Sequence, residues 1–376
     1  MISYSILSVF NPNRKIIVLY SFLCFVLLGA GYKHFGANDK QAIAFTQAAK
    51  DKYFQIAVLG DTQYYTAEKY GGSMNMFYNQ IDWITANAEQ EKIAYVVHVG
   101  DITDHGDAKP IEWERAKDAM YRLEKPRPGL PHGIPYGVAV GNHDLRPNGD
   151  PNGTKEGYTK YFGRDHFKGR NYYGGSYNDE SSSANHYDIF SANGESFIVL
   201  YLVFNEKSSK NQFYDAKLEE SVFNWGEKVL KEHADKKAII VSHSILKKDN
   251  SSNSNFVAGE GNTPKKGLFT SQGKMIFEKF KHSSNVFMML CGHRSGEAYR
   301  VENYNGRTIK IFLTDYQSRR NPPHGETDRN GGNGILRLMK FDQANQKLQL
   351  RTFIPQKDNL LEETDEDSNF STSLYK

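Results

Sequence analysis

The chain has few cysteines and little net charge, and both shortages exclude whole classes of protein. Its 376 residues include two cysteines, Cys24 in an apolar N-terminal segment and Cys291 at the end of a predicted buried strand. They are poorly placed to pair, which argues against a disulfide framework. The formal net charge is +3, from 47 basic and 44 acidic side chains. This balance does not indicate the clustered basic face of a nucleic-acid-binding protein, so no specific nucleic-acid partner is expected.

Long uncharged apolar runs are also scarce, and the one that stands out lies near the N-terminus. Arg14 and Lys15 precede an uncharged run over residues 16–32, whose length falls between a signal-peptide core and a spanning helix. The basic flank predicts that this end stays in the cytoplasm and that the bulk of the chain lies outside it. Residues 1–40 are therefore predicted to be a signal peptide or an N-terminal membrane anchor with a linker, and cleavage and retention both stay open. The predicted location is extracytoplasmic, either secreted, periplasmic or anchored to the membrane.

From residue 52 the pattern alternates between β and α signals, which is typical of an α/β domain. The 39% hydrophobic content is ample for a sizeable core. Two helices are predicted from apolar residues at helical spacing, the second with Pro110 in its first turn. Their core-facing residues are Phe77, Ile81, Ile84 and Ala88 for the first helix, and Trp113, Ala116, Met120 and Leu123 for the second.

Later segments set the predicted limits of the domain. Residues 145–185 are a long insertion rich in Gly, Asn and Tyr, which favours an ordered flap near the site or a surface excursion packed on itself. Residues 248–266 are predicted to be a mobile loop. The last three strand signals, near residues 308–313, 334–339 and 347–353, predict a run of antiparallel strands. One domain is therefore assigned to residues 52–356, followed by a solvated acidic tail over 357–376.

Five short apolar runs end abruptly in a residue that binds metals or transfers protons. Each of the five runs is predicted to be a strand, and the residues that follow it are Gly60-Asp61-Thr62-Gln63, Gly100-Asp101-Ile102-Thr103-Asp104, Gly141-Asn142-His143-Asp144, Ser242-His243 and Cys291-Gly292-His293. In an open α/β sheet, ligands bind beyond the carboxyl ends of the strands, where the loops converge. Carboxylate, amide oxygen and imidazole in this mixture are ligands for divalent transition metals. The pattern predicts a metal centre that attracts phosphate.

The order and wording of these motifs resemble the calcineurin-like metallophosphoesterase superfamily, with its D-x-H, G-D-x-x-D, G-N-H-[ED], lone His and G-H-x-H elements. The resemblance covers about residues 52 to 356 and implies an αββα sandwich, two mixed sheets flanked by helices. It further implies that Asp61 binds a first metal and that Asp101 bridges two. Asn142, His243 and His293 would then bind the second metal. The histidine of the third motif, His143, would not bind metal but would act near the leaving group, oriented by Asp104.

Two residues depart from the family pattern at the first metal. Gln63 stands where D-x-H has its histidine, and Ser295 stands where G-H-x-H has its last histidine. The ligands that remain for the first metal are thus Asp61, Asp101 and the Gln63 amide oxygen. An oxygen-only shell favours Mn²⁺ or Mg²⁺ over Zn²⁺. The implied cofactor is one or two divalent metal ions, with Mn, Fe, Zn, Ni and Mg all open.

Two functions follow from this resemblance. The first is hydrolysis of a phosphomonoester or phosphodiester by a metal-activated hydroxide, with His143 as general acid and a phosphorylated small molecule or cell-surface group as substrate. The second is a degenerate relative that binds a phosphorylated ligand without turnover. The altered first site favours the binder, whereas His143 and Asp104, which a binder does not need, favour the enzyme. The seven other histidines considered, at positions 98, 105, 132, 166, 186, 233 and 282, are assigned to structural roles.

Overall fold

A computed structural model describes residues 52–209, 211–250, 266–319, 330–355, 360–364 and 367–375 of the chain. The predicted signal peptide or anchor and the centre of the predicted mobile loop lie outside these residues. Within the described part, no helix is both long enough and apolar enough to cross a bilayer.

Sixteen strands are found in the described residues. In chain order they are β1 (Tyr53–Leu59), β2 (Ile93–His98), β3 (Tyr136–Val138), β4 (Tyr173–Ser176), β5 (His186–Ala192), β6 (Glu195–Leu202), β7 (Lys237–Ser242), β8 (Leu246–Lys248), β9 (Gly267–Phe269), β10 (Val286–Cys291), β11 (Gly296–Tyr304), β12 (Arg307–Asp315), β13 (Leu336–Asp342), β14 (Lys347–Pro355), β15 (Leu360–Glu362) and β16 (Phe370–Ser373). The α-helices are α1 (Gln63–Thr66), α2 (Met74–Asn87), α3 (Pro110–Met120), α4 (Glu156–Phe162), α5 (Arg164–Phe167), α6 (Ala216–Glu232) and α7 (Ser271–Phe280).

The strands form two large mixed sheets and a small hairpin. The first sheet has the order β15-β14-β13-β1-β2-β3, with β16 also paired to β14, and the second has the order β11-β12-β10-β7-β6-β5-β4. In the first sheet β1, β2 and β3 run parallel. In the second sheet β6, β7, β10 and β12 run parallel. The carboxyl ends of the parallel strands are the edges on which a site can form.

Three apolar layers hold the sheets and helices together. Alternate residues of β1 face opposite ways, so Phe54, Ile56 and Val58 pack between the two sheets while Ala57 and Leu59 pack under α2 and α3. Helices α6 and α7 cover the outer face of the second sheet. Burial on both faces explains why these strands appear as continuous apolar runs. The predicted αββα sandwich is confirmed.

The predicted helices also lie where their apolar spacing placed them. All eight predicted core residues of α2 and α3 and the turns that follow them are buried. Pro110 occupies the first turn of α3, where its missing N–H costs no hydrogen bond. At the start of α6, the Asp215 carboxylate accepts hydrogen bonds from the Lys217 and Leu218 amides at 2.9 and 3.0 Å.

The insertion over residues 145–185 is ordered and folds mainly against the first sheet. Tyr158, Phe162 and Phe167 are buried in the same apolar layer as Trp113 of α3. Its first residues approach the strand ends, where Asn148 Oδ1 accepts a hydrogen bond from Asn142 Nδ2 at 3.1 Å. The insertion is therefore anchored in the core by its aromatic residues, with a short stretch beside the candidate site.

The prediction of a solvated acidic tail over residues 357–376 is wrong. Strands β15 and β16 both pair with β14, and Phe370 joins the apolar layer between the sheets. One acidic residue here has a basic partner from the loop after β12, since Arg319 Nη1 lies 3.7 Å from Glu363 Oε2. Buried Arg337 donates a 3.0 Å hydrogen bond to the backbone oxygen of Asp367. Apolar anchors and buried arginines make this segment part of the domain, which the charge count alone could not show.

The predicted antiparallel run after His293 is also wrong in one strand. β13 and β14 are antiparallel neighbours in the first sheet, as expected. β12 instead belongs to the second sheet, where it runs parallel to β10 and antiparallel to β11. Its carboxyl end, Asp315, therefore lies at the same edge as His243 and His293.

Candidate metal centre

The carboxyl ends of strands from both sheets bring the predicted motif residues together. Asp61 and Asp101 follow β1 and β2, and His243 follows β7. His243 Nε2 lies 3.0 Å from Asp101 Oδ2 and 4.0 Å from Asp61 Oδ2. The backbone N–H of His293 donates to both Asp61 oxygens, at 3.2 and 3.3 Å. Asn142 and His143 enter from the loop after β3, where the His143 amide donates to Asp101 Oδ1 at 2.8 Å.

Glycines allow the loops to approach each other this closely. A Cβ on Gly141 would lie 2.2 Å from Asp101 Oδ1, and a Cβ on Gly292 would lie 2.1 Å from Asp61 Oδ1. Gly100 has a φ of 106°, and its neighbour Asp101 has a φ of 50°. Left-handed backbone at these positions turns the chain sharply after β2. The glycines of the motifs are thus required for space.

Two further buried residues, Asp144 and His98, brace the loops. The buried Asp144 carboxylate accepts hydrogen bonds from the Gly141 amide and from the Thr103 amide and hydroxyl, each at 2.9 Å. It ties the loop after β3 to the loop after β2. His98, which the sequence assigned to a structural role, hydrogen-bonds Thr62 Oγ1 at 2.9 Å and is fully buried.

Four of the predicted ligands form one group, which we call the second-metal set: Asp101, Asn142, His243 and His293. Ligand atoms of Asp101, His243 and His293 lie within 4.8 Å of one another. His243 Nδ1 lies 2.9 Å from the Val99 carbonyl oxygen, which can only accept, so Nδ1 carries the proton of this hydrogen bond. His243 Nε2 and Asn142 Oδ1 are buried atoms that make no hydrogen bond. Buried atoms of this kind, converging with a carboxylate, fit a divalent cation.

The charges of the second-metal set are strongly linked. Burial alone would raise the pKa of Asp101, but the charges of His243 and His143 hold it well below its usual range. Burial alone would lower the pKa of His243, but the charges of Asp101 and Asp144, the close contact with Asp101 and the hydrogen bond to Val99 together raise it. A proton on His243 Nε2 therefore competes with a cation for the same position.

Next to this set, His143 and Asp104 form a close pair. His143 Nδ1 lies 3.1 Å from Asp104 Oδ1 and 2.9 Å from the Asp104 backbone oxygen. On its other side Asp104 Oδ2 accepts from Lys69 Nζ at 2.8 Å. Burial opposes the charge on His143, but the charge of Asp101 and the hydrogen bonds to Asp104 raise its pKa to about 9. The raised pKa favours the protonated ring, and with Nδ1 held the other donor of that ring is Nε2.

The residues expected at the first metal are only partly brought together. Gln63, at the start of α1, is fully buried and places Nε2 3.5 Å from Asp101 Oδ2. Ser295 is exposed, and its hydroxyl accepts a hydrogen bond from the Ser318 amide at 3.1 Å. Gln63 therefore lies among the carboxylates, whereas the contacts of Ser295 are with the loop after β12.

Sequence reasoning missed four polar residues at this edge: Lys69, Glu206, Asp315 and Gln317. Glu206 Oε2 lies 3.3 Å from His293 Nε2, and Gln317 Nε2 donates to Asp61 Oδ2 at 3.3 Å. Glu206 and Asp315 carry the same signal as the predicted ligands, because each follows or ends a strand that runs parallel in its sheet. Glu206 and Asp315 were missed because one apolar run does not show whether its strand runs parallel to its neighbours in the sheet. Lys69 lies in a turn and has no comparable signal.

Comparison with known proteins agrees with this geometry. The sequence model of calcineurin-like phosphoesterases matches residues 54–294. The chain belongs to the calcineurin-like phosphoesterase family. Metal-dependent cleavage of phosphoric esters is the chemistry that this membership suggests.

Individual proteins are similar to this chain to different degrees. The uncharacterized protein YvnB of Bacillus subtilis strain 168 is 34% identical over 339 residues, which are 87% of this chain and 22% of that protein. The chain thus spans less than a quarter of that relative's length. A dimetal phosphatase from Danio rerio has 13% identity and a TM-score of 0.47, covering 85% of this chain and 99% of that one. GAP50, described as the anchor in the inner membrane complex of Plasmodium, has 12% identity and a TM-score of 0.46, covering 85% and 91%.

Proposed function

We propose that this phosphoesterase domain hydrolyses a phosphomonoester or phosphodiester with the help of bound divalent metal. The observation that carries the proposal is the placement of a cationic histidine, held by a buried carboxylate, directly beside a metal-binding set. His143 is fixed to Asp104 through Nδ1, while its backbone amide donates to Asp101 of the second-metal set. A protein that only bound phosphate would not need an acid oriented in this way.

The second-metal set would hold one cation through Asp101, Asn142, His243 and His293. When bound, a divalent ion in such a site supplies charge that polarises a phosphoryl oxygen and lowers the pKa of water. Two contacts orient the histidines of this set: the Val99 carbonyl oxygen accepts a hydrogen bond from His243 Nδ1, and the Glu206 carboxylate lies beside His293 Nε2. Such supporting contacts fix the ring orientation of a ligand and raise its basicity.

The role proposed for His143 is that of general acid. Its Nε2 proton would pass to the oxygen that leaves phosphorus, so that the leaving group departs as an alcohol rather than as an alkoxide. The raised pKa, about 9, keeps the proton in place at neutral pH. Asp104 stabilises the imidazolium and fixes its orientation. A positioned acid of this kind contributes about 10² to 10⁴ in rate.

A cavity beside the second-metal set suits a small polar substrate. Its volume is about 330 Å³, at the lower end for small-molecule sites. Its walls include Asn148, Phe204 and Asn211, together with Arg294. Arg294 is anchored by Glu206, with Nη2 3.2 Å from both carboxylate oxygens. A mainly neutral polar wall with one paired cation favours a phosphorylated small molecule or a cell-surface group.

The site of action is proposed from the sequence alone. The basic flank at Arg14 and Lys15 followed by the apolar run over 16–32 supports an extracytoplasmic enzyme, with the membrane as a partner if the run is retained. A fluorescent reporter fused after residue 376 and tested for protease accessibility in intact cells would report the side on which the domain lies.

Leaving-group dependence tests the proposal. We expect the protein, supplied with Mn²⁺, to hydrolyse aryl and alkyl phosphate esters. His143→Gln should slow an alkyl ester, whose leaving group needs a proton, far more than an aryl ester with an acidic phenol. Equal loss on both ester types would contradict the acid role. Tight binding of phosphate without hydrolysis of any ester would instead support the alternative, a phosphoesterase-like binding protein.

A further inference from the structure

The position expected for the first metal contains a carboxylate beyond the two of the family pattern. Asp315 ends β12, which lies beside β10 and runs in the same direction. Asp61, Asp101 and Asp315 are all buried, with relative exposures of 3%, 1% and 0%. Like-charged carboxylates without compensation are costly when buried. A cation among them would remove that cost.

Two glutamine amides connect these three carboxylates. Gln317 Nε2 donates to Asp315 Oδ2 at 2.9 Å and to Asp61 Oδ2 at 3.3 Å. Gln63 Nε2 donates to Gln317 Oε1 at 2.6 Å and lies 3.5 Å from Asp101 Oδ2. The amides are neutral, so they link the carboxylates without neutralising them. Asp61 also accepts a hydrogen bond from the backbone amide of His293, and Asp315 accepts one from the backbone amide of Gln317. The ring of His243 lies near Asp61 as well, with Nε2 4.0 Å from Asp61 Oδ2.

An independent observation points to a ligand at the same place. Gln63 Oε1 is a buried oxygen with no hydrogen-bond partner, although Gln63 itself is fully buried. An unsatisfied buried acceptor costs about 1 to 3 kcal/mol. This oxygen belongs to the same amide whose Nε2 lies 3.5 Å from Asp101 Oδ2. An oxygen-preferring cation bound beside Asp101 would use such an acceptor.

We propose that Asp315 is an additional ligand of the first metal and that, with Asp61, Asp101 and Gln63 Oε1, it forms an all-oxygen site in place of one built on imidazoles. The inference rests on the metal-dependent function proposed above. Compared with the family pattern, the site lacks two neutral imidazole ligands and has one additional carboxylate. Its set of ligand atoms is therefore more negatively charged and includes no nitrogen. Hard, oxygen-preferring ions such as Mn²⁺ and Mg²⁺ are favoured over Zn²⁺ by such a shell. In the metal-free protein Gln317 holds Asp61 and Asp315 together.

Metal stoichiometry tests this assignment without relying on turnover. Calorimetric titration of the full chain with Mn²⁺ should show two equivalents, and electron paramagnetic resonance should show a spin-coupled Mn²⁺ pair. Asp315→Asn should weaken one equivalent at least tenfold and leave the signal of a single Mn²⁺. Asp342→Asn is the matched control, because Asp342 is a buried aspartate at the end of β13 that caps the turn at Asn345. The control should keep both equivalents.

Two results would overturn the assignment. One is a wild-type chain that binds a single Mn²⁺, which would mean that the amides of Gln63 and Gln317 take the place of the first ion. The other is an Asp315→Asn chain with both equivalents unchanged. If Asp315→Asn does not fold, the number of Mn²⁺ ions bound by the wild-type chain and their spin coupling still test the assignment.

Failure of the proposed function gives a different result. If the chain binds two Mn²⁺ ions in an Asp315-dependent way but hydrolyses no ester, the assignment of Asp315 as a ligand stands and the proposed hydrolase function is wrong.

Discussion

His243 Nε2 lies 3.0 Å from Asp101 Oδ2, yet it is not aligned as a hydrogen bond to this or any other atom of the described residues. The opposite ring nitrogen is held by the Val99 carbonyl. An imidazole nitrogen facing a carboxylate oxygen in this way is arranged for a cation between them. The relationship is the structural core of the proposed metal centre.

Metal affinity should fall as the pH falls. The pKa of His243 is raised by Asp101 despite burial, so a proton on Nε2 must leave before a cation binds. Titration with Mn²⁺ at pH 6 and pH 8 should give weaker binding and proton release at the lower pH. An affinity independent of pH would place His243 outside the ligand set.

The contact between Glu206 and His293 should affect metal affinity without being a ligand contact. Burial tends to raise the pKa of Glu206, but the hydrogen bond and charge of His293 lower it to about 2, so the side chain is a carboxylate. Glu206→Gln should weaken metal binding by about 10- to 100-fold. Glu219→Gln is the control, since Glu219 is also buried but pairs with Tyr214 beside α6. Equal affinity in both variants would show that Glu206 does not orient His293.

Hydrolysis should decline as the pH rises through the pKa of His143. Against burial, the charge of Asp101 and the hydrogen bonds to Asp104 raise that pKa above its usual range, and the general acid is active only while protonated. Because the hydrogen bonds to Asp104 help to raise this pKa, Asp104→Asn should move the alkaline decline to lower pH. Asp118→Asn, at an exposed position of α3, should leave the profile unchanged. An unshifted decline in Asp104→Asn would assign the alkaline limb to another group.

Much of this site was predictable because strand ends, glycines and ligands occur together in the chain. Asp61, Asp101 and His243 were found from apolar runs that stop at a polar residue, and Gly100 and Gly141 follow from the need for close approach. Asp315 was missed because the direction of β12 depends on its neighbours, not on its own residues. Similarly, the final segment looked like an acidic tail because its partners, half-buried Arg319 and buried Arg337, are distant in sequence.

Space at the ligand loops should be as important as charge. Gly141→Ala would place a Cβ 2.2 Å from Asp101 Oδ1, so the loop or the carboxylate must move. We expect a loss of about 1 to 3 kcal/mol in the free energy of unfolding and weaker metal binding. Gly129→Ala is the control, because a Cβ there meets no atom within 4 Å, although its φ of 75° costs some strain. Intact metal affinity in Gly141→Ala would contradict the packing argument.

A buried aspartate away from the metal centre should make stability depend on pH. Burial raises the pKa of Asp188 to about 8, and Tyr95 donates a short hydrogen bond to it. The folded chain therefore binds a proton that the unfolded chain releases above about pH 4. This contribution is fully present below pH 4 and is lost as the pH rises through 8, at up to about 1.4 kcal/mol per pH unit.

Denaturant unfolding of the metal-free chain at pH 5 and pH 8 measures this effect. The free energy of unfolding should fall less between pH 5 and pH 8 in Asp188→Asn than in the wild type, because the variant has no carboxyl group to titrate at this position. The difference between wild type and variant isolates Asp188 from the carboxylates of the metal centre. An identical decrease in both would mean that Asp188 is ionised in the folded protein.

The most direct test of the central claim is the effect of Asp101→Asn on bound metal and hydrolysis together. Asp101 touches both His243 and the His143 loop, so every part of the proposed centre depends on its charge. The variant should bind less Mn²⁺ at equilibrium and lose hydrolysis of aryl phosphate esters across Mn²⁺, Mg²⁺, Fe²⁺, Ni²⁺ and Zn²⁺. Undiminished metal content and undiminished hydrolysis in Asp101→Asn would contradict a metal-dependent phosphoesterase built on these strand ends.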